Sequence, residues 1–389
     1  MRNTKFRLVF ALFCLAVLSF AFNMRDKPVY ADDVTAPFAS GESSAVILNY
    51  VRIDEDSFAG SSLRLDDFRA HLREIQQGGY NVMALPDLIA ALRAGEPLPR
   101  RTIAITFEGA FQSAYKKAMP LLLRERIPFT VLYASYNAER ESSEYMSWND
   151  LKSLARNDAV TLGILPAIYT YPSDNSLAEN KRLVNTARQE YRAQFGSDPT
   201  LFSYPFGEYA LPFKRWMEEQ GFIAALGQQS GVAHAQMDFL NVPRFTLTEG
   251  FNDLERFQMI TNALPIPARD IEPEDQVLST DTPLFGFSVP DSAADILSVT
   301  ECFISGQGRA NTIVAGKTRL EIRPAEPLTD ERIRINCTAN SGTAEDPVWH
   351  WFGMMYRFES VRAADEESGG FDLESGEALR ESALNAPNP

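Results

Sequence analysis

One carboxylate in this sequence stands where α/β proteins do their chemistry. Glu108 closes the apolar run Ile103-Ala104-Ile105, and Gly109-Ala110 and an amphipathic stretch from Phe111 follow at once. A buried strand that hands over to a helix leaves its last residues at the carboxyl edge of the sheet, the edge that carries catalytic and binding groups. Gly109 and Ala110 let the backbone turn tightly behind Glu108. A second stretch, Tyr204-Pro205-Phe206-Gly207-Glu208-Tyr209, follows the apolar Leu201-Phe202 and offers three aromatic rings. Metal chemistry would need clustered imidazole and carboxylate ligands, yet no histidine lies between His71 and His234.

The elements that must position these residues alternate between two periods. Ala45 to Tyr50, Phe129 to Tyr133, Val160 to Ile164 and Gly221 to Leu226 read as buried strands; Tyr80 to Met83 and Val242 to Phe245 are shorter strand-like pieces. Between them lie helical patterns at 65–77, 85–93, from Phe111 to about Glu125, and from Ser176 to about Phe195. Gly78-Gly79 ends the first, and Ser147 with Asp150, and Ser176 with Glu179, have the spacing of capping boxes. His71 reads as a solvated surface residue. His234 falls in a loop that could reach the strand ends.

Thr106-Phe107-Glu108-Gly109-Ala110 resembles the Thr-Phe-Asp-Asp-Gly motif of the polysaccharide deacetylases, the NodB-homology family. Tyr204 to Tyr209 is similar to the family's Tyr-Pro-Tyr-Gly-Glu-Tyr motif, and Gly79-Tyr80, Leu98-Pro99, Pro128-Phe129-Thr130 and Met146-Ser147-Trp148 fall in matching order. The resemblance covers about residues 45–265. It implies a distorted (β/α)7 barrel that acts on N-acetylated polysaccharide at the carboxyl ends of its strands. It makes Glu108 the counterpart of the catalytic base and Phe107, Tyr204, Pro205, Phe206 and Tyr209 the candidate sugar contacts.

The same resemblance exposes a shortage. The family holds a divalent metal, usually zinc, with an Asp and a His-x-x-x-His pair; these positions read Gly109, Leu165 and Tyr169 here. The first strand's Tyr-His-Arg is Tyr50-Val51-Arg52, and the family's late Leu-x-His, source of its general acid, has no counterpart. None of Gly, Leu or neutral Tyr is a normal ligand for such an ion, so no metal and no cofactor are expected. Glu108 is left as a satisfied polar residue, a binding carboxylate or a residual general base. A hydrolase rebuilt around Glu108 with His234 or Glu208 is the alternative, and a protein-interaction scaffold is another.

The flanks complete the reading. Arg2, Lys5 and Arg7 precede an apolar run from Leu8 to Phe22, and Val29-Tyr30-Ala31 offers a cleavage site, so residues 1–31 read as a signal peptide. That expectation places the protein in the periplasm or outside the cell, with no membrane span after cleavage. Cys302 and Cys337, the two cysteines left, are then expected to form one disulfide. The proline- and acid-rich 266–283 reads as a linker, 284–360 as a small antiparallel β-sandwich, and 361–389 as a disordered acidic tail. Trp349 and Trp351 share one face of their strand and would either stack on a glycan or pack on core. A net charge of −15 argues against nucleic acid or anionic membrane as partner and leaves a glycan open. No protein partner is indicated.

Overall fold

The computed structural model describes residues 43–140, 142–172 and 175–358. The expected signal peptide and acidic tail lie outside them. Seven parallel strands carry the pairing path of the first half: β1 (Ser44–Tyr50), β2 (Thr102–Glu108), β3 (Phe129–Tyr133), β4 (Val160–Ile164), β5 (Leu201–Ser203), β6 (Ala224–Leu226) and β7 (Phe245–Thr246), and the short strand Asn81–Val82 adds parallel to the start of β2. They pair in the order β7-β1-β2-β3-β4-β5-β6. A bridge from Leu226 to Val242 joins β6 to the residues leading into β7, which draws the sheet into a barrel.

Alternation along each strand decides what faces where. Val46, Leu48 and Tyr50 on β1 and Ile103, Ile105 and Phe107 on β2 pack outward against the helices, including α1 (Leu65–Gln77). Ala45, Ile47, Ala104, Leu132, Leu201 and Leu226 form a second, interior core, capped by α2 (Leu85–Ala94). The helical pattern after Phe111 is interrupted: α3 (Gln112–Lys117) and α4 (Met119–Arg124) meet at Ala118, where Pro120 cannot continue the ladder. Ser147 and Asp150 make the expected capping box on α5 (Trp148–Leu154). Ser176 caps α6 (Leu177–Phe195) through its hydroxyl.

The second half is two stacked sheets. One holds β8 (Leu264–Pro265), β10 (Val277–Leu278), β12 (Thr300–Ile304), β15 (Arg332–Asn340) and β16 (Trp349–Phe358), with Gly308–Arg309 at its edge. The other runs β9 (Arg269–Glu272), β11 (Phe285–Ser288), β14 (Arg319–Arg323), β13 (Asn311–Ala315). One expectation needs correction. The stretch 266–283 is no free linker: β9 pairs with β11, β10 pairs with β16, and Ile266 and Leu278 are buried in the sandwich core. Within 284–360 the strands pair antiparallel as expected, and only β8 and β10, which come from before that stretch, run parallel to β16. Cys302 and Cys337 are bonded, directly opposite each other on β12 and β15.

β15 buries every second residue: Ile333, Ile335, Cys337 and Ala339 face the sandwich core. The intervening Arg332, Arg334, Asn336 and Thr338, with Trp351 and Gly353 across from them on β16, form the sheet's other face. This face is turned to the barrel. Trp351 packs in the barrel's core, edge-on to Phe245 at 5.2 Å. Gly353 lies so close that a Cβ would come within 2.1 Å of the Ser230 carbonyl oxygen. Glu208, 2 % exposed, is paired with Arg357 at 2.8 Å and Arg332 at 2.7 Å. Gln276 and Asp275 accept the backbone N–H groups of Tyr209 and Leu211, each at 3.0 Å.

These contacts make Glu208 the electrostatic pin between the halves. Deleting it would leave Arg357 buried without its 2.8 Å counter-charge. We therefore expect Glu208→Ala to destabilise the protein by about 3 kcal/mol, the low end for breaking a buried pair, because Glu331 remains within 3.2 Å of Arg357. Denaturant unfolding of wild type and variant measures this, and no loss would show that the pair is solvated.

Candidate functional site

The interior polar layer at the top of the barrel is built by strand alternation. Phe107 faces out and Glu108 faces in; Phe202 faces out and Ser203 faces in. Asn49 and Thr106 point inward from neighbouring strands, and Arg244 enters from the residue before β7. Glu108, Asn49, Thr106, Ser203 and Arg244 are each inaccessible to solvent.

A carboxylate has about four lone-pair positions, and those of Glu108 are taken. Tyr169 donates its hydroxyl to Oε1 at 2.9 Å, and Gln228 Nε2 donates to the same oxygen at 2.8 Å. Ser203 Oγ donates to Oε2 at 2.9 Å, and the Arg244 guanidinium completes an ion pair with that oxygen. Arg244 is itself held by the Gly227 carbonyl at 2.7 Å and the Asn49 side chain at 3.2 Å. Burial, and next the charge of Glu108, push the Tyr169 phenol well above its ordinary pKa, so it stays a neutral donor.

The residues present do not fit a divalent cation. Among the described residues no three His, Cys, Asp or Glu side chains converge on one point. Gly109 has φ +90°, and a Cβ there would come within 2.4 Å of Phe111 Cε2. Phe111 is fully buried beneath the Arg52 guanidinium at 3.9 Å. An aspartate at position 109 would have to displace that ring. Leu165 is buried in the interior apolar core. Tyr169 spends its hydroxyl on Glu108, the site's one carboxylate.

The aromatic residues expected to touch sugar are mostly occupied. Phe107 lies on the helix side of β2, between Tyr50 and Phe129. Tyr204 is likewise on the helix side, packed with Phe202, Tyr209 and Phe213. Tyr209 is 3 % exposed, and Pro205 is buried. Phe206 does reach the barrel mouth, but Tyr169 and Tyr171 stack on it at 4.8 and 4.1 Å and Arg332 of β15 covers it at 5.4 Å. The period of two places Phe107 and Tyr204 opposite the inward Glu108 and Ser203, so they cannot line one groove with Glu108. Trp351 is core; Trp349 is partly exposed and lines a cavity between barrel and sandwich.

Neither proposed helper of Glu108 can reach it. His234 is not in a loop: it pairs with Ser44 at the start of β1, whereas Glu108 lies level with the end of β1, roughly 20 Å away along the strand. Glu208 is committed to Arg332 and Arg357. His71 is not solvated either. It is 1 % exposed, stacked on Phe257 at 4.3 Å, with Nε2 against the Asn252 carbonyl at 2.9 Å. The residues that complete the layer, Ser203, Gln228 and Arg244, had not been singled out from sequence. A charge inside the apolar run Val242-Pro243-Arg244-Phe245 was the signal available for one of them.

Residues 95–225 match the family model for polysaccharide deacetylase. Over 231 residues the chain is 22 % identical to the poly-beta-1,6-N-acetyl-D-glucosamine N-deacetylases of Escherichia coli K12 and O157:H7. That alignment covers 52 % of this chain and 33 % of each relative, so the chain spans about one third of the relatives' length. The deacetylase PplD of Streptococcus pyogenes, solved with acetate, superposes with a TM-score of 0.50 at 16 % identity, over 54 % of this chain and 94 % of that one.

Two outcomes follow from the geometry. Arg244→Met leaves Glu108 buried and uncompensated and should cost about 3–5 kcal/mol, while Arg244→Met with Glu108→Leu should recover most of the loss; additive losses in denaturant unfolding would contradict the pairing. His234 accepts the Gln236 N–H on Nδ1 at 3.3 Å, and burial depresses its pKa to about 4. The unfolded chain, with a histidine near 6.5, therefore binds the proton first. Stability should fall as pH drops from about 6.5 to about 4, and His234→Gln should flatten part of that fall in Tm-against-pH scans.

Proposed function

We propose that this chain, a member of the polysaccharide deacetylase family through residues 95–225, handles polysaccharide with a barrel whose metal-dependent deacetylase chemistry has been replaced by a structural ion pair. The observation that carries the reading is the saturation of Glu108 by Tyr169, Ser203, Gln228 and Arg244. A general base must be free to take a proton from water, and this carboxylate faces a fixed guanidinium and three donors. Base help alone is worth about 10²–10⁴-fold. Generating hydroxide near neutral pH is the larger task, and it needs a Lewis acid that Gly109, Leu165 and Tyr169 do not ligate.

Among the described residues, no helix is long and apolar enough to cross a membrane. The Cys302–Cys337 bond supports an oxidising compartment, and so export. In this reading the protein binds polysaccharide in the envelope or outside the cell, and the sandwich is part of its binding surface.

The test is twofold. Protein purified without chelator is assayed by elemental analysis, and acetate release from N-acetylglucosamine oligomers is followed with and without added zinc, cobalt or nickel. We expect no stoichiometric metal and no acetate above buffer. About one equivalent of bound metal, or acetate release that rises with metal and is lost in Glu108→Gln, would establish a rebuilt hydrolase instead.

A further inference from the structure

The face that β15 and β16 turn to the barrel does not seal against it everywhere. A cavity of about 550 Å³ remains between the halves, within the size range of small-molecule sites. Its inner end reaches Gln228 and Arg244, which both touch Glu108; its outer end is rimmed by Trp349, Phe251 and Phe303. Phe303 is 40 % exposed. Aromatic faces along a polar cleft suit sugar rings.

The charge in this cavity is unlike that of the chain. The protein carries a net −15, yet no aspartate or glutamate lines the cavity and three arginines do: Arg244, Arg256 and Arg334. Arg244 is neutralised by Glu108. Arg256, on the helix Leu254–Thr261, makes no ion pair or side-chain hydrogen bond with any described residue. Its Nε is buried without a partner, and its guanidinium lies over Phe251 at 4.9 Å and Trp351 at 5.7 Å. Asp253, whose side chain caps the helix on the Arg256 backbone N–H, is the one nearby opposite charge acting on this guanidinium and makes no direct ion pair with it, and a half-buried cation without a direct partner gains from a ligand that supplies one. Asn336, Thr338 and Ser230 in the same lining offer hydroxyl-matching groups.

We propose that this cavity binds a sugar unit bearing an acidic group, with Arg256 receiving the anion and Trp349 stacking on the ring. The inference deepens the glycan-binding reading above and rests on it. It names the substrate class: an anionic glycan, in preference to neutral or amino-bearing ones. Guanidinium pairs with carboxylate and phosphate alike through two parallel N–H bonds, so both are included as probes.

Calorimetric titration of the full chain tests this with four probes of matched length where possible: galacturonate oligomers, N-acetylglucosamine oligomers, glucosamine oligomers and N-acetylglucosamine 6-phosphate. Wild type, Arg256→Gln and Trp349→Ala are compared, each checked for an unchanged unfolding midpoint. We expect at least one acidic probe to bind about tenfold tighter than the neutral oligomer, glucosamine oligomers to bind weakest, and affinity for the acid to fall with added salt. Arg256→Gln should abolish that preference and leave neutral binding within about twofold, whereas Trp349→Ala should weaken every probe. Equal binding of neutral and acidic probes, or an acid preference untouched by Arg256→Gln, overturns this proposal and leaves the glycan reading standing. No binding of any probe overturns both.

Discussion

A carboxylate and a guanidinium, both fully buried at the top of a parallel barrel, constrain everything else in this site. Removing Glu108 and Arg244 from water is costly, and the pair persists because hydrogen bonds satisfy the charges that remain. Tyr169, Ser203 and Gln228 complete the carboxylate; Gly227 and Asn49 hold the guanidinium. These groups come from β1, the ends of β2, β5 and β6, the residue before β7 and the loop after β4, so the ion pair also ties the barrel's top together. A network this complete rigidifies. It leaves no lone pair for a reacting water.

The sandwich enforces the same outcome from outside. β15 is a two-faced strand: its apolar residues build the sandwich core, and its polar residues meet the barrel. Arg332 lies over Phe206 and binds Glu208, so the loop that would form one wall of an open groove is held by an internal partner. What stays open is a lateral cavity whose walls come from both halves. The open space in this chain thus belongs to the junction of the two halves, not to the barrel mouth alone.

Much of the fold was legible because it depends on local periodicity. Continuous apolar runs marked β1 to β4, three- and four-residue spacing marked α1, and Ser147 with Asp150 marked the start of α5. The misreadings share a cause. Prolines at 265, 267 and 273 suggested a linker, but edge strands tolerate proline, and β8 to β10 are short edge pieces added to sheets completed elsewhere. His71 and His234 look solvated in sequence because a single histidine carries no signal of what packs over it; Phe257 and the pairing with Ser44 decide their burial.

Sequence alone determined the run of strands and helices and the position of Glu108 at a strand end, because those need only residue identity and local pattern; the class of barrel and the reading of Gly109, Leu165 and Tyr169 as metal-ligand positions came through the resemblance to the polysaccharide deacetylases. It did not determine what Glu108 does. That depends on Tyr169, Ser203, Gln228 and Arg244, which lie 61, 95, 120 and 136 residues away along the chain and meet the carboxylate only when the barrel closes. Nor could it show the arginine-lined cavity, whose walls are strand faces from two separately built halves. Side-chain type is written in the chain; the company a buried charge keeps is set by closure of the sheet.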